Sequence, residues 1–357
     1  MKILPGILIS VLIAISSFIL SDIIGIYLMG FDKSPISSIM LSIILGMVVA
    51  NMTQLKSIYS AGIDFSCKYL LRVGIICLGI RLGLYDIYEI GLYSIPLILM
   101  CILLTFFAIN LLSKFLGISS KLSTLITVGT TICGATAIVA TGPVINAKKE
   151  EITYAIANIT LFGIFAMLVY PYLAFYLFSG NEDSIGLFLG TAIHETAQVA
   201  GAGLIYSQQF NSPITLDIAT VTKLVRNVSM LFVIPIMGYL YLKSEKSNEL
   251  KSSFSFLSVF PFFILGFILF GLIRTIGDFG IASTNTAFGF LIESKWDSFI
   301  EKIKFLAEIS LAIAMSAVGL STRFSLLKSM GLKPFYVGFA AACSVSIFSF
   351  VGIRFIF

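Results

Sequence analysis

Polar positions in this chain fall in short clusters, and the apolar positions between them form long runs with neither the two-residue period of a half-buried strand nor a polar helical face. Apolar runs lie at about 5–28, 36–53, 67–84, 92–113, 122–145, 153–178, 184–206, 218–242, 254–276, 303–322 and 334–355. Roughly 20 apolar residues in a helix cover a hydrocarbon core about 30 Å thick. Charge and turn clusters separate the runs, among them Asp32-Lys33-Ser34-Pro35, Lys148-Lys149-Glu150-Glu151, Asn181-Glu182-Asp183 and Lys243 to Lys251. The longest gap, Gly277 to Lys302, holds the only tryptophan, Trp296, and is expected to lie along a membrane interface. The pattern predicts an all-α polytopic membrane protein of about eleven transmembrane helices, with no room between them for a soluble domain.

Composition agrees. The chain is 58% hydrophobic and 11% charged, where a soluble domain is about a quarter charged. Its net charge of +5 is scattered over short loops without a basic, aromatic-rich stripe, so lipid headgroups are the expected contact and nucleic acid is not. Lysines and arginines nearly balance across the membrane; once Arg81, Lys223 and Arg226 are set aside as lying within spans, the excess falls on the side of Met1 and favours a cytoplasmic N-terminus. Ile3 to Leu20 lacks an Ala-x-Ala cleavage pattern and is taken as a retained first span. The five cysteines stand singly in apolar runs, without metal-site spacing. No cofactor is expected.

Two runs carry candidate chemistry. Gly129 to Glu151 reads GTTICGATAIVATGPVINAKKEE, with Gly129, Gly134, Gly142 and Pro143 where a membrane helix would otherwise be continuous. Such residues permit an unwound stretch where protein or water satisfies the freed backbone, and the N-terminus of a half-helix can hold an anion through its free N–H groups. Thr130, Thr131, Cys133 and Thr136 stand ready to add side-chain contacts. Close packing through small residues is the plainer account of the same glycines.

The second run, Gly190 to Gly203, reads GTAIHETAQVAGAG and places the only histidine, His194, beside Glu195. At helical spacing His194 and Gln198 share a face, with Glu195 about 100° away. A carboxylate at membrane depth must pair with a cation or take up a proton, and both outcomes suit proton coupling. The string His194-Glu195-Thr196-Ala197-Gln198 is not a zinc-protease site, because the second histidine of H-E-x-x-H is absent. The two runs also resemble each other: Gly129-Thr130-x-Ile132 and Thr136-Ala137-x-Val139-Ala140 match Gly190-Thr191-x-Ile193 and Thr196-Ala197-x-Val199-Ala200. They are two spans apart and would run parallel, which a simple inversion does not explain. A separate match aligns Leu78-Gly79-Ile80 with Val318-Gly319-Leu320.

Candidate cations are Lys68, Arg72 and Arg81 around the third span and Lys223 and Arg226 in the eighth. Snorkelling to headgroups is the ordinary role of such residues near span ends. Arg72 is placed to pair with Glu195 or with a bound anion, and Lys223 and Arg226, three apart on one face, to form a mouth for anions.

The strings LLRVGIICLGIRL (70–82), TTICGATAIVATGPVI (130–145), GTAIHETAQVAGAG (190–203) and VTKLVRN (221–227) resemble the YeiH family of bacterial inner-membrane proteins, described as sulfate exporters. The resemblance covers nearly the whole chain. Through a wider group with bile-acid/sodium symporters and cation/proton antiporters, it implies a single transporter domain over 1–357: an extra first span (1–28) and inverted five-helix repeats at 36–178 and 184–357. It also implies crossing broken helices, in spans five and ten, with spans five and seven as the alternative pair. The functional expectation is a multi-pass inner-membrane secondary transporter of a small anion such as sulfate or a related sulfur oxyanion, working by alternating access. Thr130, Thr131, Cys133, Gly134, Thr136, Thr196, Gln198, Arg72, Lys223 and Arg226 are the candidate substrate contacts, and His194 and Glu195 the proton-coupling pair. Sodium is the other candidate coupling ion, with Asn146, Asn158 and Thr160 as oxygen donors. A sensor or channel is the alternative of another class, no enzyme activity is expected, and a homo-oligomer is an open arrangement.

Overall fold

The computed structural model describes residues 3–24, 37–53, 56–236, 262–322 and 332–356. The clusters Asp32–Pro35 and Lys243–Lys251 and the predicted span residues 25–28, 36, 237–242 and 254–261 lie outside these. Apart from one short hairpin the described elements are helices: α1 (Leu4–Asp22), α2 (Ser38–Met52), α3 (Ser60–Phe65), α4 (Leu71–Leu78), α5 (Leu84–Leu116), α6 (Ser120–Thr131), α7 (Ala135–Val144), α8 (Lys149–Leu177), α9 (Glu182–Ala192), α10 (Thr196–Phe210), α11 (Pro213–Val228), α12 (Phe263–Thr284), α13 (Glu293–Ser321) and α14 (Leu332–Ile356). The hairpin pairs β1 (Thr286–Ala287) antiparallel with β2 (Leu291–Ile292). Among the described residues seven helices are long and apolar enough to cross a membrane.

The distribution of side chains inverts that of a soluble protein. Leu12, Phe107, Leu111 and Tyr176 are more than half exposed, whereas Thr130, Asn158, Gln198, Lys223 and Arg226 are buried. Apolar groups facing outward and polar groups facing inward suit a hydrocarbon surround.

The chain divides into two compact units. The first comprises Met1–Ile90, Gly203–Asp217 and Phe262–Phe324. There α2 packs on α13 at Gly46 and Gly319: a Cβ on Gly46 would meet the Gly319 Cα at 3.0 Å and the Leu320 nitrogen at 2.9 Å. Helix association without a hydrophobic driving force depends on such close approach. Ser316 Oγ adds a 2.7 Å bond to the Ser10 carbonyl. The stretch from Gly277 to Lys302 is mostly helical around the short hairpin, and Trp296 is 2% exposed, with its indole N–H donating to Asp278 at 2.8 Å. α13 runs unbroken from Glu293 to Ser321, so span ten does not supply the interruption that the five-and-ten crossing scheme requires. No proline or positive-φ residue interrupts it.

The second unit comprises Gly91–Ala202, Ile218–Pro261 and Ser325–Phe357. Its core joins Ile109, Leu125, Ile138, Ile159, Val337 and Ala341. Polar rivets tie α14 in: Thr191 and Ser349 hydroxyls at 2.6 Å, and Tyr170 and Ser346 at 2.7 Å. Local capping starts the two helices that are later interrupted. The Ser119 hydroxyl accepts from the Leu122 N–H and opens α6. The Asn181 side chain accepts from the Ser184 N–H and opens α9, with Glu182 and Asp183 favourably placed in its first turn.

Candidate functional site

Both runs singled out by their glycines are broken helices, and the breaks have the same length. Ile132-Cys133-Gly134 separate α6 from α7, and Ile193-His194-Glu195 separate α9 from α10. At the first, Gly134 takes φ 69° and ψ −128°, a conformation open to glycine and nearly closed to other residues. Its N–H closes back on the Gly129 carbonyl at 3.0 Å. At the second, Ile193 turns extended at φ −88°, ψ 142° and ends α9. His194 and Glu195 therefore lie in the break, not on a helix face. The shared face predicted for His194 and Gln198 does not form, because the helix begins only at Thr196.

A helix that ends inside a membrane strands its last carbonyls. Here α11 supplies the donors for both breaks. Lys223 Nζ donates to the Ile132 carbonyl at 2.9 Å, to Ile193 at 3.0 Å and to His194. Arg226 donates through Nε to Thr131 at 2.9 Å, through Nη1 to Thr191 at 2.6 Å and Ile193 at 3.1 Å, and through Nη2 to Thr130. Both side chains are essentially fully buried. They sit at the negative ends of the α6 and α9 dipoles, where a cation is favoured. Their expected role as a mouth for anions is not the one the geometry uses: their hydrogen bonds go to backbone oxygens.

The positive end of α7 is met by a carboxylate of the chain itself. Glu195 Oε1 accepts from the Ala135 N–H at 3.3 Å and from the Thr160 hydroxyl, on α8, at 3.5 Å. Gln198 holds the Glu195 backbone from within the first turn of α10: its Oε1 accepts the Glu195 N–H at 3.1 Å, while Nε2 donates to the Thr160 carbonyl at 3.3 Å. This is half of a capping box, with glutamine reaching back over the helix start. Asn227, next to Arg226, donates to the Thr196 hydroxyl at 3.0 Å. His194 is 1% exposed, and neither ring nitrogen has a hydrogen-bond partner among the described residues.

The structure thus brings Thr130, Thr131, Gly134, His194, Glu195, Thr196, Gln198, Lys223 and Arg226 to the paired breaks. Cys133 is there too, but its sulfur rests 3.4 Å from Met230 Sδ. Thr136 is exposed on α7. Arg72 belongs to the first unit, is exposed, and stands 6.0 Å over the Tyr69 ring; it is not among the partners of Glu195. Lys68 is exposed, and Arg81 pairs with Asp217 at 2.6 Å. Of the sodium candidates, Asn146 is exposed beyond α7 and its carbonyl accepts from Lys121, while Thr160 reaches the site. Sequence reasoning missed Gly163, whose missing side chain leaves room for the Gln198 amide. It also missed Asn227, the last residue of the VTKLVRN string; Gly163 carries no such signal in its apolar run.

The chain matches, over residues 5–338, a family model described as conserved hypothetical protein 698. It is 33% identical over 344 residues to a UPF0324 membrane protein of Streptococcus agalactiae, covering 96% of this chain and 94% of that one. A UPF0324 membrane protein of Streptococcus pneumoniae is 34% identical over 334 residues, 92% of each chain. One of Fusobacterium nucleatum is 33% identical over 312 residues, 86% of this chain and 87% of the relative. No solved structure matches. With the apolar helices and buried polar centre described above, these matches place the chain in the UPF0324 family, as a multi-pass membrane protein whose relatives are bacterial.

Proposed function

We propose that the protein is a secondary transporter of a small oxyanion, coupled to protons at the break that holds His194 and Glu195. The observation that carries this reading is the meeting of two interrupted helices on Lys223 and Arg226, with half-helix N-termini left beside them. The first N–H groups of α7 and α10 have no carbonyl four residues back within their own helices, and such groups bind anions without a full countercharge. Alternating access around a site at helix breaks is a common design for carriers. Sulfate or a related sulfur oxyanion is the substrate class that the family resemblance suggests. Sodium coupling is the weaker alternative, since the break carbonyls it would need already accept from Lys223 and Arg226.

Purified protein in proteoliposomes tests the reading, with labelled sulfate, sulfite and methanesulfonate and with or without an imposed pH gradient. Accumulation that needs the gradient and is lost in Glu195→Gln is expected. No flux of any of the three under either condition would sink it.

A further inference from the structure

Resting on the carrier reading above, the position of Glu195 determines how proton and anion would be linked. Its carboxylate occupies the N-terminal end of α7, where the carrier reading puts the anion. Oε1 lies 3.3 Å from the Ala135 N–H and 3.5 Å from the Thr160 hydroxyl, at the start of a ten-residue helix. Those are the donors that a free oxyanion would use. The backbone is shaped around this side chain: a Cβ at Gly134 would fall 3.1 Å from Glu195 Oε1 and 3.2 Å from Cδ. A second observation comes from the same pair of breaks. His194, preceding Glu195 in the break, keeps both ring nitrogens unpartnered among the described residues while 1% exposed, and the buried Thr130 hydroxyl is likewise unpartnered. A neutral imidazole offers one donor and one acceptor, and burial with neither used is costly.

We propose that Glu195 is a tethered competitor for the transported anion. In the anion-free protein its ionised carboxylate fills the end of α7. A small oxyanion takes that place when Glu195 has accepted one proton from the aqueous phase and released the Ala135 N–H. The other charged or titratable groups around the carboxylate are Lys223 on α11 and Cys133 in the other break, with His194 adjacent in the chain and Arg226 three residues along α11. Lys223 and Arg226 keep their carbonyl partners in both states, so the exchange is confined to one proton, one carboxylate and one anion. Proton and anion then occupy the same loaded form and cross in the same direction. An inward proton gradient drives uptake, opposite to the export implied by the family resemblance.

Titration calorimetry of the detergent-purified protein tests this, using sulfate and methanesulfonate at pH 5 to 9 in buffers of different ionisation enthalpy. Wild-type affinity is expected to fall about tenfold per pH unit once Glu195 is ionised, with one proton taken up per anion bound. Glu195→Gln is expected to bind with affinity independent of pH and without proton uptake, and His194→Gln to keep the proton. Wild-type binding without proton uptake at any pH overturns the competitor and leaves the carrier reading standing. Proton uptake lost in His194→Gln and kept in Glu195→Gln also overturns it. Binding of neither anion by any of the three proteins overturns the carrier reading with it. Should Glu195→Gln not fold, the proton count on the wild type decides.

Discussion

At the first interruption the chain puts Ile132, Cys133 and Gly134 between two half-helices; at the second it puts Ile193, His194 and Glu195. Their backbones are treated alike. Arg226 reaches the carbonyls of Thr130 and Thr191, which hold corresponding places before the two breaks, and Lys223 reaches those of Ile132 and Ile193. The side chains are treated differently. Gly134 contributes a conformation and an absence of bulk, while Glu195 contributes a carboxylate that fills the space beside Gly134. One break is a receptacle and the other brings the carboxylate and the imidazole. A shared backbone site with unlike side chains separates the cost of breaking a helix from the chemistry done at the break.

The shared part carries the largest expected effect. Arg226→Met removes the side-chain donor of the Thr130, Thr131 and Thr191 carbonyls at once and leaves Ile193 to Lys223 alone. Leaving a buried acceptor unpaired costs about 1–3 kcal/mol each, so the variant is expected to lose the folded state or a large part of its thermal stability in detergent. Both breaks should open together. Hydrogen exchange at α6 and α9 reads this directly, and loosening at only one of them would show that the two are held independently.

The unlike part is addressed by Gly134→Ala. The new Cβ meets the Glu195 side chain and the residue must also hold φ 69°, a strain of about 1–3 kcal/mol. Transport is expected to drop tenfold or more, with the protein still inserted and folded. Combining it with Glu195→Ala separates the two costs. If the alanine at 134 is harmful because it strikes Glu195, the double variant regains part of the stability that the single variant loses, a coupling typically of 0.5–3 kcal/mol for residues in contact. Strict additivity would assign the whole effect to backbone strain and disconnect the two breaks.

Much of this was legible in the chain because the signals are local. Gly134 and Pro143, and the Gly-Thr-x-Ile strings at 129–132 and 190–193, mark interruptions that a membrane helix seldom tolerates without a reason. The membrane class followed from run length and composition for the same cause. Long-range partners were not legible. Nothing in VTKLVRN says that Lys223 and Arg226 turn to carbonyls on two other helices, since a buried cation and a snorkelling one are spelled alike. Arg72 illustrates the converse: a position five residues into an apolar run points to a pairing with Glu195 or an anion, yet the side chain is exposed beside Tyr69. The helical spacing of His194 and Gln198 misled because residues in a break do not follow the 3.6-residue period. Their relation is a cap, which depends on where the helix starts.

The smallest expected effect is at Cys133, which holds the place in the first break that His194 holds in the second. If both middle positions served the ligand, removing either side chain would alter transport. The contacts argue otherwise. Cys133 is buried with its sulfur against Met230, in an apolar cluster with Val128, Ile132 and Ile234, whereas both His194 nitrogens are without partners among the described residues. Cys133→Ala should therefore cost about 1 kcal/mol of packing and leave both anion affinity and its pH dependence within twofold of wild type. His194→Ala should weaken anion binding at least tenfold. Equal losses in the two variants would mean that the breaks are chemically symmetric after all, and that the carboxylate alone distinguishes them.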